Sequence, residues 1–597
     1  MASARRSFGW AQDASNLDSL RRVIQVLIPG TIENISKIQL IEKYVVDVVL
    51  REKMIKALKN GGSYPYTLLK GTSGSQMTVE ENMKIFGLDL SKAKAKTYKG
   101  GRANASCTGI IQISLPAQTK AYNKPYQSDW SAESYLKLAV SMGLLSWNGS
   151  DDTCTVTKTG TLIAKASSNE EIKRVYIEAV MTYPPAIRIL QILSEDMLPH
   201  TKFEIGSKLG FIGEAGFDSL DTGYFLWFLA SAKASSKKKI KANKEKMCDK
   251  YARMTCSILI SLGLVKSVRK STIAKFAGVT YGPEILQAYQ ITADGYDALN
   301  NSYGNSSHKQ LPRLVMYETL ATAAPDYAFL RYRRANIIKI ISTKPKTLYE
   351  IQTELYSRDI DASIEVIKND IAGLKNIGLR IWNIGEKFLL KDIIIGLNIR
   401  KEKISKPEVT EIKGRVIDKV KHINPKYFEL IDLAFLGGRQ GQSADFEELT
   451  AELLTDELTF RGQHLGGANK PDIAVYYNID GFIIDTKAYE NGFSITSHQR
   501  DEMSRYINDN QKRDVNINPN EWWKVFPTSV KHFNHLFISS YFVGQFAQQL
   551  RYIARDKGEN GAAITVENLI YLADELKSQK RRYEDIKNIM NNTEIII

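Results

Sequence analysis

Cysteine is scarce in this chain, with four in 597 residues. Cys107, Cys154, Cys248 and Cys256 show no CxxC spacing, which excludes a disulfide framework and a structural zinc site and leaves four reduced, mostly buried thiols. Long apolar runs are missing too. Nothing approaches the roughly 20 consecutive apolar residues of a membrane span, and the start MASARRSFGWAQD lacks the apolar core of a secretory signal. The expectation is a soluble, cytoplasmic protein with no membrane partner. Negative charge is the third deficit: 66 Asp+Glu stand against 81 Lys+Arg, a net +15 at pH 7. Such a surplus gathers polyanions, and with membranes set aside the partner it implies is nucleic acid. What is present is ordinary for folded protein, 43% hydrophobic and 25% charged. The length exceeds what one core serves, about 250–300 residues, so several domains are expected.

Periodicity divides the chain into two grammars. The N-terminal part repeats a helix-then-wing pattern. Over about 326–395, RRANIIKIIST, TLYEIQTELYS and ASIEVIKNDIAGLKNIGL read as three amphipathic helices, and RIWNIGEKFLLKD as two short strands about a turn. Three helices and a hairpin make a winged helix, a fold that places one helix in the DNA major groove or, as often, binds only protein. A second unit covers about 180–298, with helices at PPAIRILQILSED, TKFEIGSKLGF and DKYARMTCSILISLGLV and a strand-rich tail ending in AYQITADGYDAL. A third is partial, SAESYLKLAVSMGLLSW leading to TCTVTKTGTLIAKA as its wing. The predicted organisation is 1–150, 151–298 and 299–397 as three winged-helix-related subdomains, 398–413 as a charged linker, and 414–597 as an α/β/α domain with a central mixed sheet. The fold class is multidomain α+β.

The chemistry concentrates in 461–492, RGQHLGGANKPDIAVYYNIDGFIIDTKAYENG. Asp472 opens one predicted strand; Asp485 and Lys487 stand two apart on the next, so both project from one face. Two hard oxygen ligands with open positions suit Mg2+, and a lysine beside them can orient the attacking water and stabilise phosphate charge. PD followed after twelve residues by DxK is the signature of the PD-(D/E)xK nucleases. The bland alternative is a surface ion pair, but the apolar runs IAVYY and GFII describe buried strands, which rarely carry a charged cluster without a function. Upstream, Glu447 lies in DFEELTAELL, whose Leu449, Leu453 and Leu454 mark the packed face. It is either an additional carboxylate of the site or a helix-surface acid, and periodicity does not decide.

Several longer strings then carry a family resemblance. RGQHLGGANKPD, IIDTKAY, DEMSRYINDN and INPNEWWKVFP in the C-terminal part, and FGWAQ, TYPPAIRIL, TKFEIGSKLGF, GEAGFDSL and DKYARM in the N-terminal part, resemble the FokI-type IIS restriction endonucleases over nearly the whole chain. The resemblance implies a prokaryotic enzyme that reads an asymmetric duplex DNA site with its N-terminal half. It would cut both strands at a fixed distance outside that site with a tethered nuclease domain, leaving 5′-phosphate and 3′-hydroxyl ends. It makes Asp472 and Asp485 the Mg2+ ligands and Lys487 the catalytic lysine, with Glu447 as the upstream helix acid.

The resemblance also implies transient dimerisation through HQRDEMSRYI, with each Asp501 meeting the partner's Arg505 across a two-fold axis. Read locally, the same residues would form an i,i+4 salt bridge. Glu245, Lys250 and Arg253 fall where the family contacts bases, and their chemistry suits G·C pairs. Arg102 and Trp130 match contact positions in the first subdomain. Asp13 stands where the family has a DNA-contacting asparagine, a departure that puts the recognised base in doubt. The lysine-rich SSKKKIKANKEKMC supplies phosphate contacts or a solvated loop. A second copy of the chain and a cognate DNA methyltransferase are the implied partners. Two other readings stand beside this one: a winged-helix DNA-binding regulator with an inactive nuclease fold, which the intact Asp472, Asp485 and Lys487 argue against, and a strand-specific nicking enzyme.

Overall fold

The computed structural model describes residues 7–10, 12–71, 109–113, 129–214, 216–276, 278–305, 307–321, 327–360, 362–400, 408–436, 442–490 and 492–597. Arg102 and Cys107 lie outside them. Among the described residues no helix is long and apolar enough to cross a membrane, and Cys154, Cys248 and Cys256 are buried free thiols.

The N-terminal half is built from helices with side-chain caps. Asn16, Thr31 and Asp47 each accept from a backbone N–H at the start of the helices Leu17–Val26, Ile32–Tyr44 and Val48–Asn60, satisfying donors that a helix start leaves orphaned. The helix Asp129–Ser141 follows, and the strands Ser63–Pro65, Thr153–Val156 and Leu145–Asn148 form a small sheet in that order. In the second unit, the helices Pro184–Ser194, Lys202–Gly206 and Met247–Ser261 lead into the long antiparallel pair Val265–Phe276 and Val279–Ile291, with His200–Thr201 added at its edge. In the third, Tyr327–Ile341, Leu348–Tyr356 and Ile364–Asn376 precede the strands Ile381–Ile384 and Lys387–Leu390. One continuous apolar core runs through all three, from Phe8 to Leu390.

Units two and three are joined by a buried ionic cluster. Asp370 accepts from Arg333 at 2.6 Å and from Arg334 at 2.9 Å, Arg334 also pairs with Glu214, and its guanidinium lies 3.5 Å from the Phe211 ring.

Three readings from the sequence are amended. TADGYDAL, taken as the end of a strand-rich tail, is the helix Ala293–Ser302, and TKTGTLIAKA, taken as part of a wing, contains the helix Lys158–Lys165. In both, a threonine (Thr292, Thr157) accepts from the backbone N–H of a glycine three residues on. This capping bond, rather than strand periodicity, decides the conformation. Of the linker 398–413, residues 401–407 lie outside the described set and 408–413 are the first turns of the helix Glu408–Lys419.

The C-terminal domain is a six-stranded mixed sheet between helical layers: β1 (Arg461–His464), β2 (Ile473–Tyr477), β3 (Asp480–Lys487), β4 (His532–Ser539), β5 (Gly561–Thr565) and β6 (Glu594–Ile595), in sequential order. The pairs β1–β2 and β2–β3 are antiparallel, and β3 to β6 are mutually parallel. The β2–β3 hairpin turns on Asn478 and Ile479, with Asn478 at φ +51°, a conformation asparagine tolerates well. The two faces carry separate cores. Ile473, Val475, Phe482 and Ile484 pack with Phe446, Leu449, Leu569 and Ile570. Ala474 and Ile483 pack on the other side with Met503, Tyr506, Trp522 and Trp523. Covered on both faces, β3 is buried along nearly its whole length.

Candidate functional site

The period of two along β3 places Asp485 and Lys487 on the same side as Ile483. Asp472 precedes β2 by one residue and, by the same alternation, shares the side of Ala474. Because Ile473 faces Ile484 across the antiparallel pair, Asp472 arrives beside Asp485. Lys487 Nζ lies 2.7 Å from Asp485 Oδ2 and 3.8 Å from Asp472 Oδ2. Asp472 Oδ2 accepts from the Thr486 N–H at 2.7 Å and its hydroxyl at 3.2 Å, which fixes the carboxylate. Asp485 is only 2% exposed. Burial and the neighbouring Asp472 push its carboxyl well above the ordinary range, with Lys487 offsetting part of this. Burial would lower the Lys487 ammonium, but Asp485 and Asp472 hold it up at about 12. Two carboxyl groups therefore share one ammonium in a largely buried site, and this donor set fits a hard divalent cation.

Glu447 does not join them. Its helix, Gln442–Glu452, packs Phe446 and Leu449 on the opposite face of the sheet, and its carboxylate meets His464 Nε2 of β1 at 2.9 Å. Among the described residues no three His, Cys, Asp or Glu side chains gather as a cation cage.

Asp501 and Arg505 lie on the Ser497–Lys512 helix, whose capping box closes between Thr496 and Gln499. Neither local pairing nor mutual contact joins them. Asp501 accepts from Arg500 at 2.8 and 3.0 Å, while Arg505 pairs with Glu502 at 3.6 Å. Asp501 and Arg505 stay 68% and 49% exposed. With Ser504, Asn508, Tyr552 and Arg555 they border an open groove of about 830 Å³ along the neighbouring helix Phe546–Lys557.

In the N-terminal half, Lys250 and Arg253 stand on the Met247–Ser261 helix and Glu245 just before it. Glu245 is shared: Arg253 binds it bidentately at 2.6 and 3.0 Å, and Lys202 binds it at 2.8 Å. The Glu245 hydrogen bonds raise the Arg253 guanidinium above its ordinary value, and the exposed Asp13 adds to this. The N-terminal segment is held there by Gln12, which donates to Met247 Sδ at 2.7 Å, and by Trp10, whose ring lies tilted 5.0 Å from that of Tyr251. Asp13, Glu245 and Arg253 are thus gathered at one place. Beside them Lys202, Lys238, Lys241, Arg253 and Arg269 line a cationic pocket of about 250 Å³. The lysine-rich stretch forms the helix Ala234–Asn243 with no buried residue. Trp130 lies in the helix Asp129–Ser141; its side chain and Arg102 lie outside the described residues.

The two halves meet at the start of the Met247–Ser261 helix. Lys246 lies 3.7 Å from Asp218 and 3.9 Å from Glu452 of the C-terminal domain, and Lys244 lies 4.0 Å from Glu448. Burial alone would lower the Lys246 ammonium, but Asp218, Glu452 and Glu429 together raise it. Burial and Asp218 push Asp445 to about 6, with Lys250 among the cations that oppose the rise. Lys413 donates to the Gly213 carbonyl at 2.9 Å. Gly213, at φ +81°, also admits the Pro425 segment, since a β-carbon there would lie 2.6 Å from the Pro425 carbonyl oxygen.

Comparison with known proteins accounts for both halves. Family models match residues 6–166 as "FokI, recognition domain, subdomain 1", 172–307 as its subdomain 2, 320–385 as "FokI, D3 domain" and 406–597 as "FokI, cleavage domain". The type II restriction enzyme FokI of Planomicrobium okeanokoites is 35% identical over the full length of both chains. The chain belongs to the FokI family of type II restriction enzymes. A second member, StsI of Streptococcus sanguinis, is 29% identical over 82% of this chain and 84% of its own. The solved FokI structure matches with a TM-score of 0.82 at 34% identity, and FokI bound to DNA with 0.83 at 33%, each over 99% of this chain and all of FokI.

Within this FokI-family chain the sequence alone did not single out His464, Thr486 or Lys202. Thr486 had a signal, since the residue between the acid and the lysine of DxK faces away from both and offers its backbone N–H to the neighbouring strand. Lys202 and His464 had none, because their partners are remote along the chain.

Proposed function

We propose that the chain is a type IIS restriction endonuclease that binds a short asymmetric duplex site through three winged-helix subdomains. It hydrolyses both strands at a fixed distance outside the site with a PD-(D/E)xK nuclease domain. The observation that carries this is the intact Asp472, Asp485 and Lys487 gathered on one face of the sheet, in a chain with recognition and cleavage domains together. A decaying nuclease has no reason to keep all three, which weighs against the inactive regulator.

Asp472 and Asp485 are the residues that would hold Mg2+, which when bound supplies Lewis acidity and charge neutralisation at the phosphate. Lys487, set between the two carboxylates, would donate hydrogen bonds to the phosphate oxygens and orient or activate the attacking water. Thr486 holds the Asp472 carboxylate in place. Water attacks phosphorus in line, the P–O3′ bond breaks, and a proton reaches the departing oxygen. The products are a 5′-phosphate and a 3′-hydroxyl.

FokI has been solved bound to DNA, and the basic pocket beside Arg253 supports the same partner here. Reading G·C pairs with Glu245 and Arg253 requires their mutual hydrogen bonds to open toward the bases. One nuclease domain has one catalytic centre, so cutting both strands calls for a second. The exposed Asp501 and Arg505, free of each other, support pairing with a second copy across a two-fold axis. The contacts of Lys244 and Lys246 support a resting state in which the cleavage domain is docked on the recognition half. A host would also need a DNA methyltransferase for the same site.

The test is purified protein with plasmid DNA and Mg2+, beside Asp485→Ala and EDTA controls, with cut ends mapped by sequencing. Ends at a constant offset from one short asymmetric motif, lost in both controls, are expected. Intact plasmid with specific binding retained would favour the regulator.

A further inference from the structure

The segment that leads out of the recognition half is fastened to it step by step. Ile394–Ile395 pairs in parallel with Arg313–Leu314, and Leu397 and Ile399 pack on the recognition core. Arg400 ends the run. Its guanidinium pairs with Glu318, on the short 3-10 turn Tyr317–Thr319, and lies 5.7 Å from the ring centres of both Trp147 and Tyr317, within cation–π reach. Gly149 leaves room for it, since a β-carbon there would crowd the guanidinium. The Arg400 side chain is 28% exposed and that of Glu318 only 4%, so the pair is seated in a socket and screened far less than one on the open surface. The turn that carries Glu318 also touches the reading end of the molecule. Thr319 fills the space beside Gly9, whose φ of +94° brings the two chains together. Trp10 follows Gly9 and packs against Tyr251 of the Met247–Ser261 helix. Tyr251, Trp10 and Tyr317 belong to one core, so the socket is held in a set position relative to Lys250 and Arg253.

We propose that Arg400, seated on Glu318, is the root from which the cleavage domain is tethered and so determines where the DNA is cut. This rests on the type IIS reading above. A constant offset requires a constant distance from the bound site to the point where the tether leaves the recognition half, and a constant tether beyond it. The socket fixes that point. Glu408, eight residues after Arg400, opens the first helix of the cleavage domain. Eight residues span at most about 26–29 Å, roughly eight base-pair steps at about 3.4 Å each. Without the Glu318 pair, only Leu397 and Ile399 hold the chain beyond the strand pairing at Ile395. Release back to Ile395 would add five residues to the tether, at most about 17 Å, or about five further base-pair steps. The ion pair therefore excludes a set of longer reaches that the chain itself would permit.

The experiment maps the cut ends made by the full chain with Mg2+ on plasmid DNA, at the offset found for wild type, and compares Arg400→Ala, Arg400→Lys and Glu318→Gln. Site affinity by gel shift and Tm are read beside it. Arg400→Ala should raise the fraction of ends displaced by one to about five base pairs at least about threefold, with site affinity within about twofold of wild type. Glu318→Gln, which breaks the same pair from the other side at nearly constant volume, should spread the ends in the same direction. Arg400→Lys keeps the charge and should restore most of the wild-type pattern. A folded Arg400→Ala that cuts at the wild-type positions with the wild-type spread overturns the proposal. So does a fall in Tm or affinity with the offsets unmoved, which would make the socket merely structural. Should Arg400→Ala fail to fold, Glu318→Gln decides by the same criterion. A wild type that cuts at no constant offset sinks the type IIS reading instead, and that outcome is seen before any variant is made.

Discussion

Replacing His535 with leucine tests how the sheet that holds the strand of Asp485 and Lys487 responds to acid. His535 lies on β4, directly beside Ile483 of β3. It is fully buried, its ring sits against Gly561 of β5, and among the described residues neither ring nitrogen has a hydrogen-bond partner. Burial alone drives its pKa down to about 3, against about 6.5 in an unfolded chain. Between these values the unfolded state binds more protons than the native one. Stability therefore rises with pH through this window and is lost as pH falls. Linkage makes the loss about 0.8 kcal/mol at pH 6 and about 2 kcal/mol at pH 5, relative to pH 8.

Glu559, pushed up to about 7 by burial, contributes a slope of opposite sign, since a raised carboxyl loses stability as pH rises. It does so equally in wild type and variant, and so cancels in their difference. The assay is hydrogen exchange of the full chain followed by mass spectrometry, reading the opening free energy of the peptide 532–539 at pH 5, 6 and 8 for both proteins. The wild type should lose about 2 kcal/mol more than His535→Leu between pH 8 and pH 5. Equal pH dependence in the two would refute the claim that a neutral buried imidazole governs this strand.

Lys487→Ala should lower the cleavage rate by about 10²–10⁴-fold while leaving specific DNA binding intact, as read by single-turnover kinetics beside a gel-shift titration. Asp370→Ala strips Arg333 and Arg334 of their shared carboxylate and should destabilise the recognition half by about 3–5 kcal/mol, visible in denaturant unfolding; a change under 1 kcal/mol would mean the arginines find other partners. Removing residues 1–398 should leave a fragment that nicks or cuts DNA without sequence preference. A folded fragment that never cuts would contradict modular catalysis. Arg505→Asp alone should cut both strands poorly and should regain activity when mixed with Asp501→Arg, an outcome that a purely local role for either residue does not produce.

The meeting of Asp472, Asp485 and Lys487 was legible because its logic is local. Alternation fixed the common face of Asp485 and Lys487, and the antiparallel hairpin set by Asn478 brought Asp472 alongside. The place of Glu447 was not legible, because it depends on which layer its helix joins, a choice made by Phe446 and Leu449 against strands still to come in the chain. Along RDEMSR, pairs at one, three and four residues differ by only tenths of a kcal/mol, so no pattern could foresee that Arg500 takes Asp501 and Arg505 takes Glu502. The approach of Lys246 to Glu452 joins opposite halves of the chain, and composition reports only the surplus of positive charge. The helices after Thr157 and Thr292 were written in the sequence as caps, but strand-like neighbours masked them.

Docking through Lys244 and Lys246 makes ionic strength act on this molecule twice. Salt weakens the hold of basic residues on phosphate steeply, and it also screens the partly exposed contact between Lys244 and Glu448. On the proposed reading, the first effect would take the protein off its site and the second would weaken the exposed part of the hold on the nuclease domain, while the buried Lys246 and Glu452 stay shielded. Dilute salt would leave the enzyme bound but latched, and concentrated salt unlatched but adrift. If the proposed docking holds, accurate cutting would belong to an intermediate range, with stray cleavage rising on its high-salt side before activity fails altogether.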